Sequence, residues 1–283
     1  MARFWRLGVG SRQESGKNTV RFRLAAIAFA AVLALGIGAY AAYGYIRPYL
    51  HGSNCAANSV QLDLEQSANA ATIAAVASSR KLPERALVIA YATALQESHI
   101  RNLAGGDRDS VGLFQQRPSQ GWGDKARLKD PVYASQRFFA ALVKVKGYEE
   151  RPVHVAAQRV QRSADGSAYA QHVPMAEALA AAYTGRRPAT VRCWFTPDRR
   201  TKQRRAAALD ELRRSFGDLP LKEDAVGVTS ARDGWAVASW AVSHAQGYGL
   251  TEIRYHGRRW TATNGYAGWT HDEKAPAEHV FIK

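Results

Sequence analysis

Two short stretches decide how this chain is read: Ala94-Leu95-Gln96-Glu97-Ser98 and, after a polar glycine-rich loop, Ser110-Val111-Gly112-Leu113-Phe114-Gln115-Gln116-Arg117-Pro118. The first closes a helix. Pro83-Glu84 puts a proline at the first helical position and an acid in the first turn, and the helical pattern continues to about His99. Counted back in steps of three and four, Glu97 follows Thr93, Ala90 and Ala86, a strip of small side chains beside the apolar stripe Leu87, Tyr91 and Leu95. A half-buried carboxyl group at a helix end is the expected result. Apolar surroundings favour the neutral form of a carboxyl group, which is the form that can donate a proton to a leaving glycosidic oxygen. Glu97 is therefore the candidate general acid, and a structural Glu paired with Arg or Lys is the plainer alternative.

The two stretches together, Glu-Ser at a helix end and Gly112-Leu113-Phe114-Gln115 in place of Gly-Leu-Met-Gln, resemble the lytic transglycosylase and goose-type lysozyme family. The separation of Glu97 from Gln115 is similar to that between the family's catalytic Glu and its motif Gln, and a proline follows in both. The resemblance covers roughly residues 64 to 185. It implies a lysozyme-like fold, peptidoglycan glycan strands as substrate, and cleavage of the bond between N-acetylmuramic acid and N-acetylglucosamine. It implies Glu97 as general acid and base, Ser98 orienting Glu97 or the substrate N-acetyl group, and Gln115 along the sugar cleft. The continuation Gln116 to Gly123 resembles secreted actinobacterial proteins of the same broad family, which adds Gln116 and Trp122 to the substrate-binding set, Trp122 by stacking on a pyranose ring. One carboxylate suffices in the family because the substrate's acetamido group assists, so neither a metal nor another cofactor is required.

One motif departs from the family. Its Ala-Tyr-Asn-Ala-Gly segment, whose Tyr faces the catalytic Glu, is absent, and the corresponding region runs from Ala156 to Ser163. Gln158, Gln161, Tyr169 and Tyr183 are the candidates for that place, and the sequence does not choose among them. Asp107 and Asp109 are read as turn-forming residues of the loop, with the positioning of a water as the alternative role. The missing tyrosine motif suits a second reading of the chain, a catalytically silent wall-binding or scaffold protein; an exported partner of a secretion or conjugation system is a third.

The 283 residues carry a formal net charge of +15, from 39 basic and 24 acidic side chains. The stretch Leu24 to Ile46 is free of charge, and at a helical rise of about 1.5 Å per residue it spans about 34 Å, enough to cross a bilayer core. Residues 1–23 are basic, through Arg3, Arg6, Arg12, Lys17, Arg21 and Arg23 against Glu14, and the positive-inside rule keeps them cytoplasmic. The apolar run exceeds the usual signal-peptide core, which favours an uncleaved anchor over cleavage near Ala39-Tyr40-Ala41. Everything after Arg47 is then expected outside, where Cys55 and Cys193 pair as a disulfide.

The exported part is expected to comprise a stalk over 47–60, an α-helical domain over 61–216, a linker over 217–233 and a small α+β module over 234–283. Helices are expected at 66–80, from Pro83 to His99, from Asp130 to Gly147, at 152–162, at 174–183 and from Thr201 to Ser215. In the module a helix is expected over Gly234 to Gln246, followed by strands at Thr251–Tyr255, Arg258–Thr263 and His279–Ile282. Trp235, Trp240, Trp260 and Trp269 are read as its core. The basic run Arg199, Arg200, Lys202, Arg204, Arg205, Arg213 and Arg214 would suit phosphates. Outside a cell its partners are lipid headgroups or anionic wall polymers rather than nucleic acid, and a solvated helix face is the commoner reading. No His-Glu-x-x-His, Walker or dinucleotide-loop pattern is present.

Overall fold

A computed structural model of the protein describes residues 12–162, 165–222 and 224–283. Residues 1–11 of the expected cytoplasmic tail, with Arg3 and Arg6, lie outside the described residues, as does Ser163. The chain divides into two units, 1–51 and 52–283. The first carries α1, Arg12–Leu50, in which Arg21–Gly44 is a 24-residue, predominantly apolar stretch with none of it buried. Among the described residues, one helix, near the N-terminus, is thus long and apolar enough to span a membrane.

The second unit is mainly helical and ends in a mixed α/β region. It begins with strands β1 (Asn54–Ala57) and β2 (Val60–Leu62), then helices α2 (Leu64–Ser79) and α3 (Glu84–Ser98). A short helix α4 (Lys125–Leu128) leads to α5 (Pro131–Leu142), α6 (Val153–Gln161), α7 (Ser167–Ala170) and α8 (Val173–Tyr183). Strand β3 (Val191–Trp194) and helix α9 (Arg205–Phe216) follow. The remainder is β4 (Leu221–Lys222), β5 (Ala225–Gly227), α10 (Ala231–Tyr248), β6 (Glu252–Tyr255), β7 (Arg258–Thr261), β8 (Thr270–His271) and β9 (His279–Ile282).

Side-chain caps set the starts of α2 and α5. Asp63 and Gln66 form a reciprocal capping box at the start of α2, the Asp63 carboxylate accepting from Gln66 N at 2.8 Å and the Gln66 amide oxygen from Asp63 N at 2.9 Å. Asp130 caps α5 in front of Pro131, and its carboxylate accepts from Val132 N. The helix expected to reach Gly147 ends at Leu142, and the chain continues to Gly147 in turns.

The strands fall into two antiparallel sheets, β2-β1-β3 and β4-β5-β9-β6-β7-β8. In the first, Cys55 lies directly opposite Cys193, and the two form a disulfide. Residues expected as a stalk over 47–60 therefore include strand β1, whose Cys55, Ala56 and Ala57 are buried, and the expected linker over 217–233 includes β4 and β5. The segment 234–283 is likewise no satellite. Helix α10 packs on α2, Ser243 meets Ser67 at 2.9 Å, and the indole nitrogens of Trp260 and Trp269 donate to the carbonyls of Cys193 and Val191 at 3.1 and 2.8 Å. One continuous apolar core runs from the α2–α3 pair to Trp235, Trp240, Tyr255 and Trp260. Alanine makes this close packing possible: Ala70, Ala71, Ala74, Ala75 and Ala77 of α2 are all buried, and the Tyr91 hydroxyl reaches the Ala70 carbonyl at 2.8 Å.

Candidate functional site

Glu97 stands in the last turn of α3, half-buried, while Ala86, Ala90 and Thr93 behind it are fully buried. The helix stops because His99 and Ile100 both take left-handed backbone conformations, at φ 54° and 60°. Such conformations are uncommon for these residue types and are sustained here by neighbours. The Gln66 amide donates to the His99 carbonyl at 2.9 Å and the Asn69 amide to the Ile100 carbonyl at 2.8 Å, so α2 holds the reversal in place.

The stretch 110–118 folds into a tight turn closed by reciprocal backbone bonds between Val111 and Gln116, at 3.0 and 3.1 Å. Gly112 takes φ 77°, and a Cβ there would meet the Leu128 carbonyl oxygen at 2.5 Å, so only glycine fits. The turn drives Leu113 and Phe114 into the core, where Phe114 stacks on Phe138 with ring centroids 4.4 Å apart. Three side chains then collect its backbone and that of its surroundings. Ser98 Oγ donates to the Leu113 carbonyl at 2.7 Å, Gln161 Nε2 to the Phe114 carbonyl at 2.7 Å, and Gln116 Nε2 to the Ala134 carbonyl at 3.2 Å.

This geometry sorts the residues singled out in the sequence. Tyr169, on α7, is brought to Glu97: its buried side chain donates its hydroxyl to Glu97 Oε1 at 2.7 Å. Tyr183 is elsewhere, with its hydroxyl 2.9 Å from Ser67 Oγ and pushed up to about 12 by burial. Ser98 and Gln116, expected to orient Glu97 or the substrate N-acetyl group and to bind substrate, are buried, and their side chains donate to the Leu113 and Ala134 carbonyls. Gln115 is half-buried and bonded within its own turn, its amide nitrogen to the Gly112 carbonyl at 3.2 Å and its oxygen to Ser110 Oγ at 3.0 Å. Gln158 packs against Gly166, so that neither it nor Gln161 occupies the place taken by Tyr169. Trp122 is half-buried and lines a surface groove with α5 and α6 residues.

Asp109 is a loop strut. Its carboxylate accepts from Arg117 Nε at 2.9 Å and from Ser119 N and Oγ at 2.8 and 2.9 Å. The Arg117 guanidinium, ahead of the Ser119 bonds, holds that carboxyl well below the usual carboxylate range. Asp107 is exposed and contributes its backbone carbonyl to Ser110.

Sequence reasoning missed the polar pair beside Glu97. His172, half-buried, places Nε2 3.0 Å from Gln96 Oε1, and burial, then the nearby His99, lowers its pKa. The neutral imidazole thus donates from Nε2 to the Gln96 oxygen. The available signal was Tyr169-x-x-His172, a spacing that brings both residues to one side of a helical turn. Chemically, the Tyr169 phenol and the Glu97 carboxyl group form a hydrogen-bonded pair at a helix end, in which Glu97 Oε2 has no hydrogen-bond partner among the described residues. Such a carboxyl group can exchange a proton with a bound molecule. The chain matches no protein-family model, and no curated protein matches it.

Proposed function

We propose that this protein is a membrane-anchored enzyme that cleaves the β-1,4 bond between N-acetylmuramic acid and N-acetylglucosamine in peptidoglycan, with Glu97 as general acid and base. The observation that carries the reading is the Tyr169 hydroxyl on Glu97 Oε1 at 2.7 Å. Tyrosine at the catalytic Glu is what the resemblance implies, and here it arrives from a segment without the family's motif. In this mechanism the Glu97 proton passes to the leaving glycosidic oxygen as the C1–O bond breaks. The resulting carboxylate then takes a proton from the attacking hydroxyl, either water or the sugar's own 6-hydroxyl, and the acid is restored. Tyr169 acts by fixing the carboxyl group's orientation and, as a donor, by stabilising the carboxylate that forms after the first step.

The span Arg21–Gly44 supports a membrane anchor. The basic residues before it support a cytoplasmic N-terminus, with the unit from Gly52 on facing the wall. Glu97→Gln is expected to lower release of soluble fragments from purified walls by at least about 10² to 10⁴-fold with the thermal midpoint unchanged. Undiminished release by that variant would overturn the proposal. The fragment mass separates the two products, an anhydro end for a transglycosylase and a hydrated reducing end for a lysozyme.

A second reading, a catalytically silent wall-binding scaffold, is favoured by the structural employment of Ser98, Gln115 and Gln116. Retention of the wild-type protein on insoluble peptidoglycan with no clearing on a wall-containing gel would select it.

A further inference from the structure

A groove of about 320 Å³ opens between α5, α6 and the turn that carries Trp122. Four cations line it, Arg137, Lys144, Arg159 and Arg162, and no carboxylate does. None of the four has an ion-pair partner among the described residues. This contrasts with the basic residues of α9, where Arg213 and Arg214 are paired with Asp210, Glu211 and Asp130. Like charges converging on one concavity repel each other and focus a positive potential there, an arrangement relieved by an anion.

The groove is also built around its aromatic. Arg137 donates from Nε to the Trp122 carbonyl at 2.8 Å and from Nη2 to the Gly121 carbonyl at 3.0 Å, which fixes the turn at the groove's edge. Trp122 packs against the core and still borders the groove, presenting an apolar surface of the kind on which a pyranose ring stacks. The cations come from two directions. Arg137 and Lys144 belong to α5 and the turn after it, whereas Arg159 and Arg162 belong to the last turn of α6 and its end. Opposed cations around a small volume suit a compact branched anion beside a sugar better than a linear polyanion, which needs an extended track. Guanidinium forks match carboxylates in two-point contacts.

We propose that this groove is a subsite for a sugar ring stacked on Trp122 together with the carboxylates of an acidic peptide branch attached to it. This rests on the glycan-cleaving reading and gives its substrate preference: strands bearing acidic peptides over bare or amidated strands. The same α6 segment also holds the turn that carries Gln115, because Gln161, between Arg159 and Arg162, donates to the Phe114 carbonyl.

The test uses the full-length protein in detergent micelles, carrying Glu97→Gln so that no probe is consumed. Calorimetric titration compares four probes: a disaccharide-peptide with free carboxylates, the same molecule amidated, the bare disaccharide, and poly(glycerol phosphate). The acidic probe is expected to bind at least about tenfold tighter than the amidated one, and to weaken with rising salt. Arg159→Ala with Arg162→Ala is expected to remove that preference while leaving affinity for the amidated probe unchanged. Should the double variant fail to fold, Lys144→Glu reads the same preference at an exposed position. Equal affinity for acidic and amidated probes, an unaltered preference in the variants, or tighter binding of poly(glycerol phosphate) would each overturn the proposal. Since binding is read without turnover, a wild-type protein that fails to cleave walls leaves this outcome standing, and failed binding leaves the cleavage assay standing.

Discussion

His244 shows how a single side chain makes the fold pH-sensitive. Its ring stacks on Trp240 with centroids 3.9 Å apart, Nδ1 donates to the Trp240 carbonyl at 2.9 Å, and Nε2 lies 3.3 Å from Thr72 Oγ1, which donates to it. The neutral ring satisfies both contacts, and burial pushes the pKa down to about 4. The folded value lies below the unfolded value of about 6.5, so as pH falls the unfolded chain takes up the proton first. Stability is therefore whole above about pH 6.5 and declines toward pH 4, by up to about 3 kcal/mol. Asp63, Glu65 and Arg199 face the same cavity, and no shift in Asp109 interferes, because a carboxylate held ionised by Arg117 loses its contribution only at lower pH. Urea midpoints at pH 7 and pH 4.5 should differ in this direction, and His244→Gln should shrink the difference; equal wild-type midpoints would contradict the assignment. At the candidate site, Tyr169→Phe should reduce wall cleavage by about tenfold or more, measured as fragment release, at a cost in stability of about 1 kcal/mol for the lost hydrogen bond to the half-buried Glu97. Glu97 was legible in the sequence because its half-buried position follows from helical periodicity. Its partner was legible only as one of four candidates, because 72 residues separate Tyr169 from Glu97 and the docking of α7 brings them together.

Elements with strong local signals lie where the periodicity puts them: α3, α6 and α8 begin and end within a few residues of expectation. Strands β1, β2 and β3 were missed, since three or four residues each, with alanine and cysteine among them, carry little alternation. Their pairing is decided across the chain, by the opposition of Cys55 and Cys193. Close approach between elements gives two further expectations. In α10, a Cβ on Gly234 would stand 2.0 Å from Tyr255 Cζ, so Gly234→Ala should force the helix off the sheet and destabilise by about 1 to 3 kcal/mol. Gly112→Ala adds a left-handed backbone penalty to its clash with the Leu128 carbonyl, and a loss of about 2 kcal/mol or more is expected. Thermal midpoints of both variants check this, and a midpoint equal to that of the parent would refute the close packing.

At the scale of the molecule, the unit from Gly52 to Lys283 shares one core, so the helical part is not expected to survive alone. A chain ending at Phe216 would expose the face of α2 that α10 covers and leave the carbonyls of Val191 and Cys193 without their tryptophan donors. Rapid digestion of that truncation by protease, against resistance of the full unit, is the expected result. The disulfide closes a separation of 138 residues, and on the chain-entropy model its reduction should lower stability by up to about 5 kcal/mol, read as a drop in denaturant midpoint with reductant. The sequence by itself determined the apolar N-terminal helix, the main helices, the half-buried Glu97 and the pairing of its two cysteines. Each of these follows from composition, short-range periodicity or the absence of any other partner. The tertiary structure alone decided that Tyr169 rather than Tyr183 reaches Glu97, that Ser98 and Gln116 serve the backbone, and that the last fifty residues complete the core. Those outcomes depend on contacts between distant segments, where the free energy comes from mutual burial and a local pattern is compatible with several partners.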